Sequence, residues 1–235
     1  MRIRESVALV GAALLLSACT AKNTGNAALE SDDQKASYGI GLDMGRSLGP
    51  TKGRLDMAAF QKGIEDAMAG AEPALPDSVV QAALQKFSES IMETQRAERQ
   101  ALAEKNRTEG EAYLKENGAR PGVTTTASGL QYEVLTQGSG PRPTADQQVR
   151  IHYKGTLIDG KEFDSSYGSD PITLPVSGVI AGFSEALQLM PVGSKYRVVI
   201  PGNLGYGSEG AGEDIGPNAT LIFELELLEI IQPQG

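Results

Sequence analysis

The residues best suited to chemistry in this chain lie around one predicted turn. Apolar and polar residues alternate from Val149 to Tyr153, which is the pattern of a half-buried strand. Asp159-Gly160 then predicts a hairpin turn, and Phe163 and Asp164 follow it. Because neighbouring side chains on a strand point to opposite faces, both can serve one site only if the pairing bends or ends near Phe163. The turn therefore predicts a pocket with two aromatic rings and a carboxylate.

Composition limits what this pocket could do. The chain of 235 residues has one cysteine, Cys19, and one histidine, His152. His152 would lie on the strand face opposite Tyr153, on the solvent side. We therefore expect no Ser-His-Asp triad, no metal and no cofactor. The net charge of −9 argues against nucleic acid as a partner, since phosphate binding requires clustered Lys and Arg.

The N-terminus indicates export. Two arginines precede an apolar segment, residues 7–16, that is too short to span a bilayer comfortably. Leu16-Ser17-Ala18-Cys19 resembles the bacterial lipoprotein box, which implies removal of residues 1–18 as a signal peptide and lipidation of Cys19. An ordinary signal peptide is the alternative. The resemblance further implies, through the sorting rules of such lipoproteins, that Thr20 after Cys19 fits the outer membrane, facing the periplasm or the cell surface. Residues 19–30 would form a flexible lipid tether.

Three helices are predicted next. The first covers about 32–48 behind a capping box of Ser31 and Gln34, and the second covers 57–69 behind Asp56. The third, with a second capping box at Ser78, covers 77–118 and would be about 60 Å long. An apolar stripe marks its first third. Beyond Glu93 it is mostly charged, as in a helix that links two domains.

Residues 31–76 form a helical region that is too small to build a core of its own. We therefore expect a second copy of the chain to complete residues 31–92, which gives a homodimer. A monomer with its helices folded back on themselves is the alternative. Glycines four apart on the first helix, Gly41 and Gly45, would allow another helix to approach closely.

Beyond residue 118 the pattern becomes β. Strands are predicted near 130–135, 148–154, 195–200 and 220–231, and one short helix near 183–190. Antiparallel strands with a single helix predict an α+β domain over residues 119–235. The apolar sheet face must meet that helix, so the site is expected between them.

Five ordered motifs in this region resemble FKBP-type peptidyl-prolyl cis-trans isomerases. They are Ile151-His152-Tyr153-x-Gly155-x-Leu157-x-Asp159-Gly160-x-x-Phe163-Asp164-Ser165-Ser166, Val179-Ile180-Ala181-Gly182-Phe183, Leu187-x-Leu189-Met190-x-x-Gly193, Gly205-Tyr206-Gly207, and Ile215-Gly216-Pro217-Asn218-Ala219-Thr220-Leu221-Ile222-Phe223. The N-terminal half resembles the helical dimerisation region of the macrophage infectivity potentiator and FkpA-like lipoproteins.

The resemblance implies a bent five-stranded antiparallel sheet wrapped on the short helix, with a prolyl pocket between them. Its implied substrates are proline-containing unfolded or folding polypeptides. The implied catalytic residues are Tyr153, Asp164, Tyr206 and Phe223. The implied substrate-binding residues are Phe163, Ile172, Val179, Ile180, Phe183 and Ile215, with Ile172 and Ile215 at the rim.

Macrolides of the tacrolimus and rapamycin type are further ligands that the resemblance implies. This chain departs from the family at Phe183, where Trp is usual, and at Ala181, where Arg or Pro is common. A smaller floor leaves the pocket slightly deeper, which bears more on macrolide affinity than on isomerisation.

Prolyl isomerisation suits these residues. Rotation about the peptide bond costs about 18–20 kcal/mol, and it breaks no covalent bond, so neither a nucleophile nor a metal is required. The twisted amide is less polar than the planar one, so an apolar aromatic socket favours it over water. The sequence thus predicts a lipid-anchored dimeric isomerase that assists the folding of exported proteins. A holding chaperone or surface-binding protein, whose FKBP-like domain mainly binds, is the second hypothesis.

Overall fold

The computed structural model describes residues 29–51 and 53–231 of the chain. The predicted signal peptide, the predicted lipidation residue Cys19 and most of the predicted tether (19–30) lie outside this part. Contacts between residues divide the chain into two compact units, one up to Ala74 and one from Leu75 onward. Among the described helices, none combines the length and the apolar character needed to cross a membrane.

In its described residues the first unit contains two helices, α1 (Asp32–Ser47) and α2 (Met57–Ala69), with a 3-10 turn at Gly49–Thr51 between them. Their caps are the predicted ones. The Ser31 hydroxyl accepts from the Gln34 amide at 3.2 Å, and the Gln34 side chain accepts from the Ser31 amide at 3.0 Å. Asp56 caps α2, which ends at Gly70 in the left-handed conformation. Neither helix buries a residue in the single chain.

The long helix α3 (Asp77–Gly118) has the predicted extent, but the capping box predicted at Ser78 is wrong. The helix begins at Asp77, one residue before Ser78, and its N-cap is Pro76, which makes no side-chain cap. Pro76 holds the extended backbone of a helix start, so Ser78 already lies inside the first turn and cannot cap it. The Asp77 carboxylate interacts favourably with the positive end of the helix dipole.

Within residues 75–231, the described part of the second unit, seven antiparallel strands form one sheet. They are β1 (Val123–Thr125), β2 (Gln131–Thr136), β3 (Gln148–Leu157), β4 (Glu162–Ser165), β5 (Ile172–Pro175), β6 (Lys195–Ile200) and β7 (Leu221–Ile231). Their order is β1-β2-β6-β7-β3-β4, and β5 pairs with the other end of β3. The implied number of five was too low because β4 and β5 divide one sheet edge between them and β1 adds a short strand.

The core lies between this sheet and the helix α4 (Ala181–Leu189). Leu221, Phe223, Leu225 and Leu227 are buried on alternate positions of β7, as predicted. Gly182 brings α4 close to β6, since a Cβ there would stand 2.5 Å from the Ile200 side chain. Short 3-10 turns at Val176–Gly178, Gly202–Leu204 and Gly207–Glu209 complete the unit.

Its composition predicted that the second half of α3 is polar and exposed on every side. The structure shows that one side of it is packed against the rest of the unit. One stripe of residues, spaced three or four apart, contacts the sheet-containing part of the same unit (residues 119–231): Arg99, Leu102, Asn106, Gly110, Tyr113 and Asn117. Gly110 and Asn117 are buried, and Asn117 donates to the Gln131 side chain at 2.8 Å. Because this docking stripe is mostly polar, hydrophobic periodicity could not reveal it.

Candidate active site

A β-bulge allows Phe163 and Asp164 to serve one pocket. Strands β3 and β4 pair Gly155 with Asp164 and Thr156 with Glu162, which leaves Phe163 as the extra residue. This irregularity is the bend that the sequence required near Phe163. In the turn that precedes Phe163, Gly160 has a φ of 87°, a backbone conformation that favours glycine.

The pocket has a volume of about 490 Å³ and lies between the sheet and the start of α4. Its lining includes nine of the ten predicted site residues: Tyr153, Phe163, Asp164, Ile172, Val179, Ile180, Phe183, Tyr206 and Phe223. The tenth, Ile215, is buried in the domain core and is not part of the lining. Sequence reasoning missed Leu174 and Gly178. Leu174 follows Ile172 by two residues, so the strand period of β5 could have indicated it.

Phe223 is the centre of the aromatic cluster. Its ring makes edge contacts with Phe183, at 5.1 Å between centroids, and with Phe163, at 5.6 Å. Tyr153 lies 6.4 Å from it on a third side. Edge-to-face rings at these distances attract one another through their quadrupoles. The cluster therefore forms an apolar socket in which each aromatic ring is held in place by contacts with its neighbours.

The Asp164 carboxylate is held through both of its oxygens. The Tyr153 hydroxyl donates to Oδ2 at 2.5 Å, and the Ser165 amide donates to Oδ1 at 2.9 Å. Burial, and secondly the adjacent Asp164 carboxylate, raise the pKa of Tyr153 well above its usual value. The phenol therefore stays protonated and remains a donor, so the carboxylate is fixed at the edge of the socket.

Two polar groups at the pocket have no partner within the described part of the chain. Tyr206, at the start of a 3-10 turn, is 40% exposed, and its hydroxyl makes no hydrogen bond with a described residue. The Ile180 carbonyl accepts from the Phe183 and Ser184 amides, as expected of a helix N-cap. Its own amide has no acceptor among the described residues. Both groups are available to a bound ligand.

The single histidine lies away from this pocket. His152 is half-buried on the other face of β3, where its ring stacks on Tyr167 at 5.1 Å and its Nδ1 lies 3.1 Å from the Ser166 hydroxyl. Within residues 29–51 and 53–231, no three His, Cys, Asp or Glu side chains form a group that could hold a metal ion.

An antiparallel sheet packed on one short helix, with an aromatic socket and a fixed carboxylate between them, defines the class of FKBP-like prolyl isomerases. Residues 140–228 match the family of FKBP-type peptidyl-prolyl cis-trans isomerases. Residues 33–134 match the domain found amino-terminal to these isomerases. The chain belongs to this family, and it is a peptidyl-prolyl cis-trans isomerase.

Similar proteins cover nearly the whole chain. The FKBP-type 22 kDa peptidyl-prolyl cis-trans isomerase of Escherichia coli is 48% identical, over 85% of this chain and 96% of that protein. The outer membrane protein MIP of Legionella longbeachae is 40% identical, over 86% of this chain and 87% of its own. The crystal structure of FkpA from Escherichia coli superimposes with a TM-score of 0.67 at 35% identity, covering 88% of this chain and all of that one.

Proposed function

We propose that the pocket grips the proline ring of an X-Pro segment between Phe163, Phe183 and Phe223. The observation that supports this role is the cluster of mutually braced rings around a cavity of about 490 Å³. An amide twisted by 90° loses its resonance and much of its polarity, so transfer from water into this socket favours it over the planar form. The rate rises tenfold for about each 1.4 kcal/mol of this preference.

The polar groups at the rim orient the peptide. In this proposal the Ile180 amide donates to a substrate carbonyl and the Tyr206 hydroxyl donates to another. Asp164, held by Tyr153, acts as a fixed negative charge near the rotating carbonyl and transfers no proton. Ile172 and Val179 contact the residues that flank the proline. Ile215, buried in the core, supports the wall instead of touching the substrate.

Macrolides of the tacrolimus and rapamycin type would enter the same socket. Phe183, which forms its floor, has a smaller ring system than tryptophan, so fewer contacts reach a bulky ligand. We therefore expect this protein to bind these macrolides more weakly than an otherwise similar isomerase with tryptophan at this position, while its isomerase activity is less affected.

The functional unit in this proposal is a homodimer joined through residues 31–92. Apolar side chains on α1 and α2 are open to solvent in the single chain, with Ile40 63% and Met68 84% exposed. The first third of α3 also exposes Val79, Leu84 and Met92. Large apolar side chains left open to solvent in this number favour an interface, and a second copy would bury them. No described residue stands within 4 Å of where a Cβ on Gly41 or Gly45 would lie, which leaves room for a helix.

Export and anchoring form the last part of the proposal. Residues 1–18 would be removed, Cys19 would carry the lipid, and residues 19–30 would tether a dimerisation region (31–76), the long helix (77–118) and the isomerase domain (119–235). An outer membrane location agrees with the lipoprotein-like box and with the name of the Legionella longbeachae relative. Replacing Cys19 by Ala should release the protein from the membrane fraction; retention in that fraction would refute the anchor.

The catalytic roles can be tested with the full chain and a short X-Pro peptide whose cis-trans exchange is followed directly. Asp164→Ala and Phe223→Ala should slow exchange, and Asp170→Ala, an exposed carboxylate outside the lining, should not. Because removing a buried Phe costs about 3–5 kcal/mol, Phe223→Leu serves as the milder variant. Wild-type exchange in the Asp164 and Phe223 variants would place the site elsewhere.

The holding-chaperone hypothesis predicts a different result with a client that lacks proline. If the full chain aids its refolding and Asp164→Ala aids it equally, binding outweighs catalysis. If the protein speeds refolding only of clients whose refolding is limited by prolyl isomerisation, the result supports the enzyme role without a holding-chaperone role.

A further inference from the structure

Tyr206 is carried by the long connection between β6 and β7, residues 201–220, here called the β6–β7 loop. The loop is cross-linked by its own backbone. The Asn218 amide donates to the Gly207 carbonyl at 2.7 Å, and Ala211 and Ile215 exchange two amide hydrogen bonds at 2.8 and 3.1 Å. Movement of either side of the loop is therefore transmitted to the backbone next to Tyr206.

The docking stripe of α3 holds this loop at two places. Arg99 Nη2 donates to the Glu209 carbonyl at 2.8 Å and the Ser208 carbonyl at 3.3 Å. Two turns further along the helix, Asn106 Nδ2 donates to the carbonyl of buried Pro217 at 2.8 Å. The two carbonyls that Arg99 contacts belong to residues two and three positions after Tyr206. The carbonyl that Asn106 contacts belongs to the residue before Asn218, whose own amide bonds to Gly207.

The close approach at the second place depends on Gly216. A Cβ at this position would stand 2.9 Å from Asn106 Nδ2 and 3.2 Å from Leu102 Cδ2. The bare backbone of the loop thus lies directly on the helix. Arg99 also pairs with the Glu209 carboxylate at 2.8 Å, but both side chains are more than half exposed, so this ion pair adds little. The loop is held mainly by the part-buried bond from Asn106 and the close packing at Gly216, to which the Arg99 bonds to backbone carbonyls add.

We propose that Arg99 and Asn106 are positioning residues for prolyl isomerisation, because they hold the β6–β7 loop so that the Tyr206 hydroxyl stands at the edge of the pocket. This inference rests on the proposed role of Tyr206 as a donor to the substrate. It makes the second half of α3 part of the catalytic unit and not only a spacer before it.

The test uses the full chain with Arg99→Ala and Asn106→Ala combined. Arg107→Ala is the matched control, because Arg107 lies on the same helix and, among the described residues, bonds only to Glu104 and Glu111 of α3 itself. The double variant should lower kcat for the X-Pro peptide by roughly three- to tenfold with little change in KM, as expected for one or two lost hydrogen bonds. The control should keep the wild-type rate, and Arg99→Lys with Asn106 intact should keep most of it. An unchanged kcat in the double variant overturns the inference.

A second comparison asks whether the effect acts through Tyr206. In a Tyr206→Phe background, replacing Arg99 and Asn106 should cost no further rate, since the donor they position is already gone. The same loss of rate with and without the Tyr206 hydroxyl would overturn the inference, because it would mean that docking acts on the fold in general.

Amide hydrogen exchange separates this inference from the proposed role of Tyr206. Without Arg99 and Asn106, the amides of Ala211 and Asn218 should exchange faster, whereas that of Val198 in the β6–β7 ladder should not change. Unchanged exchange in the loop would overturn the positioning by α3. Faster loop exchange, together with a wild-type rate in Tyr206→Phe, would support the positioning and refute only the donor role.

Discussion

The ring of Phe163 occupies the space that a side chain on Gly155 would need. A Cβ on Gly155 would stand 2.6 Å from the ring carbons Cε2 and Cζ of Phe163, and 2.9 Å from Cε1 of Phe223. Gly155 is paired with Phe223 across β3 and β7 and lies beside the bulge that contains Phe163. The positions of two aromatic walls of the pocket, Phe163 and Phe223, therefore depend on the absence of a side chain at Gly155.

Gly155→Ala should impair the pocket while the fold survives. Both rings must shift, and overpacking of this kind costs about 1–3 kcal/mol. We expect kcat/KM for an X-Pro peptide to fall by about tenfold and the melting temperature to drop by several degrees. Gly63→Ala is the control for the rate, since a Cβ there meets no described residue within 4 Å. An unchanged rate in Gly155→Ala would mean that the ring positions do not limit catalysis.

Tyr153 and Asp164 should act as one unit. Asp164→Asn removes the charge at constant shape, and Tyr153→Phe removes the 2.5 Å hydrogen bond that fixes it. Each should lower kcat, Asp164→Asn the more, and the double variant should lose less than the product of the two single effects. A double-mutant cycle on peptide exchange measures this coupling. Fully independent effects would contradict the view that Tyr153 works by orienting the carboxylate.

The pKa of Tyr153 predicts how stability depends on alkaline pH. Burial and the Asp164 carboxylate raise this pKa above its unfolded value of about 10, so the folded state retains the phenolic proton longer than the unfolded state. The stabilisation is complete below pH of about 10 and is lost as pH rises above that value. Denaturant titrations at pH 8 and pH 11 should show a smaller loss of stability in Tyr153→Phe than in the wild type. An equal loss in both would show that the pKa is not raised.

Gly110 should be required for α3 to dock. A Cβ there would stand 2.3 Å from Oγ1 of buried Thr220. Alanine favours a helix by about 1 kcal/mol over glycine, yet overpacking costs about 1–3 kcal/mol, so Gly110→Ala should destabilise the protein. Adding Thr220→Ala removes the clashing hydroxyl and should restore part of the lost stability. Urea unfolding measures both, and a more stable Gly110→Ala protein would show that the helix is not docked at this point.

The proposed dimer predicts that a charge on the apolar stripe separates the copies. Leu84 is 56% exposed in the single chain, and Leu84→Glu should leave a carboxylate in the interface. Ala82→Glu carries the same charge on the opposite face of α3 and should have no effect. Sedimentation of the mature protein at micromolar concentration gives the mass. A monomeric wild type, or an unchanged dimer in Leu84→Glu, would refute this interface.

Local sequence signals predicted most helices and strands because their causes are local. Capping groups fix the start of α1 and α2, and alternation along β7 fixes which side chains face the core. At Pro76 the local signal failed, since a capping box pattern at Ser78 competed with a proline that starts the helix earlier. The divided edge of β4 and β5 was not predicted either, because strands this short have little periodicity.

The candidate site was predicted through motif resemblance, and its residues come from four separate parts of the chain. The pattern of residue types identified Tyr153, Phe163 and Asp164 as neighbours around a turn. That these side chains meet Phe183, Tyr206 and Phe223 depends on strand order, which no local rule specifies. Ile215 shows that a motif match does not by itself place a side chain in the pocket. Its motif position agrees with the family, but its side chain lies in the core.

By itself, then, the sequence determined the chemical class of this protein, a prolyl isomerase, because its ordered motifs identify the family. In the proposed mechanism aromatic rings and one carboxylate suffice, since twisting an amide breaks no covalent bond. It also determined the order and type of the main elements, through caps, periods and turns. Only the tertiary structure decided that Gly155 makes room for Phe163, and that a polar stripe of α3 lies on the loop carrying Tyr206. Both depend on contacts between distant residues whose types, a glycine and an arginine, carry no such information alone.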